Sequence, residues 1–176
     1  MAIEVYISQE EISDKVNALA QKINHDFQGQ EVHIICVLNG AFMFCADLVR
    51  KINVPVTLDF LKASSYGDST VSSGEVEIFY DIQGDVKNKN VIVVEDIVDT
   101  GLTLSKVLEN LKTRDPKSLK LASLLFKPAR LRHPVEIDYL AFEIEDRFVI
   151  GYGLDFAGKY RELPYIGVYH EDWKRG

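Results

Sequence analysis

One stretch constrains this chain more than any other: Val91-Ile92-Val93-Val94-Glu95-Asp96-Ile97-Val98-Asp99-Thr100-Gly101-Leu102-Thr103-Leu104. The succession of Val, Ile, Val and Val predicts a buried strand. Two adjacent carboxylates follow at its carboxyl end. A third, Asp99, leads a Thr100-Gly101-Leu102-Thr103 turn that opens a helix. Open α/β sheets take their ligands at the carboxyl edge of the strands. A turn of this kind also points unpaired backbone N–H groups at an anion. The stretch therefore predicts a site for a ligand that carries both a phosphate and vicinal hydroxyls.

Each residue type has a reason to be there. Glu95 and Asp96 are strand neighbours, so their side chains start toward opposite faces and need not share a proton. They can reach different parts of one ligand, such as a ribose diol directly or a divalent metal through water. Oxygen ligands and substrate phosphates favour Mg²⁺. Gly101 permits close backbone approach, Thr100 and Thr103 donate hydrogen bonds, and the helix dipole favours a phosphate. A carboxylate beside that phosphate is repulsive unless it has a chemical task. For Asp99 the candidate tasks are accepting a proton or steadying developing positive charge.

The rest of the chain alternates strands and helices, which predicts an α/β fold. Ser8 and Glu11 form a capping box, followed by Ile12, Val16, Leu19, Ile23 and Phe27 on one helix face. Residues 32–38 read as a buried strand ending at Asn39-Gly40-Ala41. A helix follows, with Phe42, Phe44, Cys45, Leu48, Val49 and Ile52 apolar. Taken alone, that turn is a plain connection between strand and helix, and His33 reads as a core or edge histidine. Residues 54–61 alternate as a strand. Residues 62–74 are rich in Ser, Gly and Thr and are expected to be mobile, as a hairpin loop or as a lid that excludes water. A strand returns at 75–80. After the opening stretch, residues 119–126 form another buried strand ending at Lys127-Pro128. That puts an ammonium on the same sheet edge, one βαβ step from Asp99. A shorter strand is expected at 137–142, a strand and Gly-flanked turn at 147–155, and a last strand at 165–169.

Composition narrows the class. A length of 176 residues suits one domain, here 1–176, and 47% hydrophobic residues supply an ample core. The formal charge of −7 argues against a nucleic-acid binder. Cys36 and Cys45 read as buried free thiols, with no metal-binding spacing. Neither a signal peptide nor a membrane-length apolar run is present, which points to a cytoplasmic protein without membrane partners.

The opening stretch resembles the phosphoribosyl-pyrophosphate motif of type I phosphoribosyltransferases: two acids, apolar residues and Asp-Thr-Gly-x-Thr after a hydrophobic strand. The resemblance covers nearly the whole chain and is to the short bacterial enzymes of purine salvage. It includes Leu38-Asn39-Gly40-Ala41 before residues 42–48, Ser65-Tyr66-Gly67, Leu124-Leu125-Phe126-Lys127, residues 148–155, and Tyr160-Arg161-Glu162-Leu163. It implies a mainly parallel twisted sheet flanked by helices, with a small hood and a mobile lid loop.

The resemblance also implies roles. Asp99, Thr100, Gly101, Leu102 and Thr103 would hold the 5′-phosphate. Glu95 and Asp96 would face the ribose hydroxyls and Mg²⁺, with Asp155 helping to bind the metal beside the purine. Asp99 would be the acid/base at purine N7. Lys127 would donate to the 6-oxo group, Phe148 would stack on the base, and the Val149 backbone would read its edge. Leu38, Asn39 and Gly40 would form a pyrophosphate loop with a non-proline cis peptide, and Arg161 would contact pyrophosphate. Ser65 and Tyr66 would belong to the lid. The family often has Lys or Arg where this chain has Asn39, which shifts charge neutralisation toward Arg161 and Mg²⁺.

The implied activity is transfer of a 5-phosphoribosyl group from phosphoribosyl pyrophosphate to N9 of hypoxanthine or guanine, in a homodimer or homotetramer. Three rivals remain open: a xanthine-preferring enzyme, an RNA-binding regulator that keeps the nucleotide site, and an orotate enzyme. Residues 148–155 and Lys127 speak against the last.

Overall fold

The computed structural model describes residues 3–65 and 76–169. In chain order the elements are β1 (Glu4–Ile7), α1 (Gln9–Asp26), β2 (Val32–Val37), α2 (Phe42–Val49), β3 (Val56–Ser65), β4 (Val76–Tyr80), β5 (Asn90–Val98), α3 (Leu102–Lys112), β6 (Ser118–Phe126), β7 (Tyr139–Glu143), β8 (Val149–Ile150) and β9 (Ile166–Val168). Six strands form one sheet in the order β4-β3-β2-β5-β6-β7. All pairings are parallel except β3 with β4.

The near-continuous apolar runs of β2 and β5 follow from their central position, with both faces covered. On one face, Ile34, Cys36, Ile92 and Val94 pack with α1 and α2. On the other, Ile35, Val37, Val91 and Val93 pack with Leu104, Val107 and Leu111 of α3. Helix α1 starts where the capping box predicts. Glu11 N–H donates to Ser8 Oγ at 3.2 Å, and Ser8 N–H donates to Glu11 Oε2 at 2.8 Å. Its buried face is Ile12, Val16, Leu19, Ala20 and Ile23.

Helix α2 ends at Val49, three residues earlier than its apolar positions suggest. The chain tightens there into bonds of the i→i−3 kind, Lys51 N–H to Leu48 O and Ile52 N–H to Val49 O. Ile52 remains buried from that turn. Within the Phe42-Met43-Phe44 segment, Phe44 is wholly buried, whereas Phe42 is 37% exposed. Strand β7 begins two residues later than expected, and the last strand is shorter at both ends.

A second sheet, antiparallel and three-stranded in the order β1-β9-β8, forms the small hood. Strand β1 has no counterpart among the sequence expectations. It is four residues long, lacks a turn signal, and gains its hydrogen bonds from β9, far away in sequence.

The parallel strands bring the loops after β2, β5 and β6 to one edge. The order of the large sheet reverses between β2 and β5: β2 leads to β3 on one side, and β5 lies on the other. This is the crevice at which open α/β sheets bind ligands. No helix among the described residues is long and apolar enough to cross a membrane.

Candidate active site

The site grows from the ends of β2 and β5. Beyond β2 the chain passes through a cis peptide between Leu38 and Asn39, as the family resemblance implies for this loop. Leu38 N–H donates to Leu61 O at 2.8 Å, which ties the loop to β3. Asn39 is exposed. The α-carbon of Gly40 lies against the Asp96 carboxylate, in space that any β-carbon would fill. The pyrophosphate-loop candidate and the acid pair are therefore in direct contact across the crevice.

On β5, Glu95 and Asp96 are both half-buried. Asp96 N–H donates to Glu95 Oε1 at 3.0 Å, and Ile97 N–H donates to Asp96 Oδ1 at 2.9 Å. Burial, then the neighbouring Asp96 charge, push the Glu95 carboxyl well above the ordinary carboxylate range. A cation or hydroxyl donors at this point would relieve that repulsion.

The loop from Asp99 to Thr103 encloses a concavity of about 100 Å³, lined also by Glu95. Gly101 sits at φ 80° in the left-handed region and caps α3 without a side-chain hydrogen bond. Its α-carbon lies against His133 O, so a side chain has neither the backbone conformation nor the room. Leu102 N–H reaches the Thr100 hydroxyl at 3.4 Å. The first N–H groups of any helix lack partners within it, and here they open onto an anion-sized hollow. Arg132 and His133 N–H both donate to Thr100 O, at 3.0 and 2.9 Å, and fasten the loop from behind.

Lys127 follows β6. Its N–H donates to Val98 O at 3.0 Å, which seats it beside the residue preceding Asp99. The residue is 8% exposed. Its ammonium lies 3.5 Å from Asp146 Oδ1. Asp99 is paired too: Arg130 Nε donates to its Oδ1 at 2.9 Å, and Arg130 Nη1 lies 3.7 Å from Asp146 Oδ2.

Phe148 is 52% exposed, which suits a stacking platform better than a core role. Phe156 and Tyr169 meet it edge to face, with centroids 5.7 and 6.0 Å away. Val149, next to it in β8, is buried. Asp155 and Arg161 bond to each other at 2.9 Å. Asp155 Oδ2 also accepts Gly158 N–H at 2.7 Å, and Arg161 Nη1 donates to Gly153 O at 2.6 Å. Gly153 in turn lies against Gly40 O, so this segment backs the loop after β2. Residues 62–65, expected in the loop, instead continue β3, because they pair with β4; the Ser65 side chain and Tyr66 lie outside the described residues.

Residues 6–157 match the family described as the phosphoribosyl transferase domain. The chain belongs to the phosphoribosyltransferases. This phosphoribosyltransferase is 46% identical over 165 residues to the hypoxanthine-guanine phosphoribosyltransferase of Bacillus subtilis (strain 168), covering 94% of this chain and 92% of that one. It is 43% identical over 167 residues to the hypoxanthine phosphoribosyltransferase of Escherichia coli (strain K12), covering 94% of each. A crystal structure of a hypoxanthine-guanine phosphoribosyltransferase from Bacillus anthracis superposes with a TM-score of 0.92 at 45% identity, covering 96% of this chain and all of that one.

Among the described residues, no three His, Cys, Asp or Glu side chains cluster as a metal cage. Asp155 is paired with Arg161. The donors present still fit Mg²⁺. They are hard oxygens, and Mg²⁺ commonly takes one or two carboxylates, with waters and substrate phosphates completing its shell.

Sequence reasoning missed Arg130 and Asp146, which pair with Asp99 and Lys127, and Phe156 and Tyr169, which brace Phe148. It also missed the link between the Tyr152 hydroxyl and Asp47 Oδ2 at 2.5 Å. Arg130 lies three residues beyond Lys127 and Asp146 two before Phe148, but nothing in that spacing signals contact across 16 residues of chain.

Proposed function

We propose that the chain transfers the 5-phosphoribosyl group from phosphoribosyl pyrophosphate to N9 of hypoxanthine or guanine, giving IMP or GMP and pyrophosphate. One observation carries this reading: the bond from Lys127 N–H to Val98 O, which sets Lys127 and Asp99 side by side on one sheet edge. A 6-oxopurine presents O6 and N7 on a single edge. An ammonium for O6 and a carboxylate for N7 are the complementary pair.

The 5′-phosphate would rest on residues 99–103, where the α3 terminus supplies N–H groups and dipole. Glu95 and Asp96 would face the ribose hydroxyls. The base would lie on Phe148, with its edge read by the Val149 backbone and Lys127 donating to O6. In the transfer, the N9 lone pair forms the bond to C1′ as the bond from C1′ to the pyrophosphate oxygen breaks. The proton leaving N7 passes to Asp99, which returns it in the reverse direction. Glu95 and Asp96, with Asp155 helping, would hold Mg²⁺, which would neutralise charge on the pyrophosphate leaving group. The Leu38-Asn39-Gly40 backbone and Arg161 would contact pyrophosphate, with Arg161 exchanging Asp155 for that anion. Ser65 and Tyr66 would belong to a lid over the reacting centre.

We further propose that residues 1–176 act as one domain in the cytoplasm and that copies associate as dimers or tetramers. Phe42, Leu58 and Phe60 are exposed apolar residues suited to such contact. The proposal is tested by a steady-state assay with phosphoribosyl pyrophosphate, Mg²⁺ and each base. Nucleotide formation with hypoxanthine or guanine supports it; no nucleotide with either base at high enzyme overturns it.

A further inference from the structure

Four side chains form a chain of charges along the rim of the site: Asp99, Arg130, Asp146 and Lys127. Arg130 is the bridge. Its Nε donates to Asp99 Oδ1 at 2.9 Å, while its Nη1 stands 3.7 Å from Asp146 Oδ2. The other oxygen of the same carboxylate, Asp146 Oδ1, lies 3.5 Å from the Lys127 ammonium. Asp146 is thus shared between two cations, and neither contact is short. Arg130 has its close contact with Asp99 instead. In this arrangement Asp99 Oδ1 is held by the Arg130 guanidinium.

We infer that Arg130 and Asp146 are positioning residues that couple recognition of the base at Lys127 to exposure of the acid/base carboxylate of Asp99. The inference rests on the proposed roles of Lys127 and Asp99. A 6-oxo group that accepts a hydrogen bond from Lys127 draws the ammonium away from Asp146. Asp146 then has one cation partner left, Arg130, which needs to move by under about an ångström to reach ordinary charge-assisted hydrogen-bond distance. That movement lifts Arg130 from Asp99. A base lacking an acceptor at this position leaves Lys127 on Asp146 and Arg130 on Asp99. The device thereby adds selectivity for the base at the chemical step, beyond that supplied by binding. Charged partners compete for one another at this scale because successive side chains stand 2.9 to 3.7 Å apart and only Lys127 is well buried, at 10% side-chain exposure.

Non-additivity tests the coupling. The variants Asp146→Asn, Arg130→Gln and the double variant are compared by kcat and KM for hypoxanthine and for the phosphoribosyl donor. With Asp146 neutralised, Arg130 stays on Asp99, and kcat falls about threefold to tenfold, the range an exposed charge-assisted pair supports. In the Arg130→Gln background the same Asp146 change leaves kcat at the Arg130→Gln value. An equal kcat loss in both backgrounds overturns the coupling. So does a loss confined to the donor's KM, which would make Arg130 a phosphate ligand instead. Asp99→Asn separates the two levels of the account. If it keeps parental turnover, the acid/base reading itself fails. If it loses turnover while the other variants prove additive, only the coupling fails. Should Asp146→Asn not fold, the Arg130 Nε–H resonance of the parent protein gives the answer. It is expected to move when hypoxanthine and pyrophosphate are added together, and an unmoved resonance at saturation overturns the inference.

Discussion

The α-carbon of Gly40 rests on the Asp96 carboxylate, so the loop after β2 is joined to the carboxyl end of β5 where the sheet order reverses. A methyl group at residue 40 has no room unless the Asp96 carboxylate or the loop after β2 shifts. Gly40→Ala is expected to lower kcat by about 10²-fold, the cost of a misplacement near 1 Å in a positioned site. Its melting temperature should stay near the parent's, because the core on either face of the sheet is untouched. Parental kinetics in this variant would mean that the Asp96 carboxylate is not held in its working geometry by this contact.

Asp99 is the residue whose loss should be felt in the chemistry alone. Asp99→Asn keeps the size of the side chain and removes the proton acceptor. Turnover is expected to fall by about 10²- to 10⁴-fold, with the donor's KM close to the parent's. A rise in that KM at unchanged kcat would assign Asp99 to binding.

Much of this was legible in the sequence. The run at 91–104 announced a buried strand, a tight turn and a helix, because four local signals agree there: β-branched residues, adjacent acids, a glycine where φ is positive, and hydroxyls at the helix start. Lys127 was legible as the end of a buried strand. Contacts made across the fold were not. The Arg130–Asp99 pair spans 31 residues, and Phe156 and Tyr169 reach Phe148 from different turns. Strand β1 was missed for the same reason, since its partner β9 lies at the other end of the chain. Asp155 and Arg161 were singled out through the family resemblance, and their mutual pairing was not legible.

Lys127 is expected to set the choice between 6-oxo and 6-amino purines. Lys127→Met keeps most of the apolar stem and removes the donor. The ratio of kcat/KM for hypoxanthine to that for adenine should fall by roughly 10²-fold, since a buried donor rejects a partner that cannot accept. An unchanged ratio would move base selection elsewhere in the site.

The rings around Phe148 should matter through Phe148. Phe156 meets it edge to face at 5.7 Å and packs against Tyr169 at 4.5 Å. Phe156→Ala is expected to raise the KM for the base about twofold to tenfold, the worth of one aromatic contact, with kcat less affected. Equal KM values for parent and variant would show that Phe148 needs no such bracing.

His33 gives a pH signature remote from the chemistry. Burial, then the Lys89 charge, lower its pKa below the ordinary 6.5, against weaker raising effects of Asp59 and Glu31. Its Nδ1 pairs with the Thr57 hydroxyl at 2.7 Å, and its Nε2 is buried without a partner. As the pH falls, the unfolded chain binds the proton first. The stability His33 contributes is therefore present above 6.5 and is lost as the pH drops through the folded value. An imidazole resonance that titrates at or above 6.5 would contradict this.

Product analysis tests the transfer reaction itself. The chain is incubated with phosphoribosyl pyrophosphate, Mg²⁺ and an equimolar mixture of hypoxanthine, guanine and xanthine, and the nucleotides are separated and identified. IMP and GMP are expected, with pyrophosphate released in equal amount to the nucleotides. Formation of the xanthine nucleotide alone, or of no nucleotide, would contradict it.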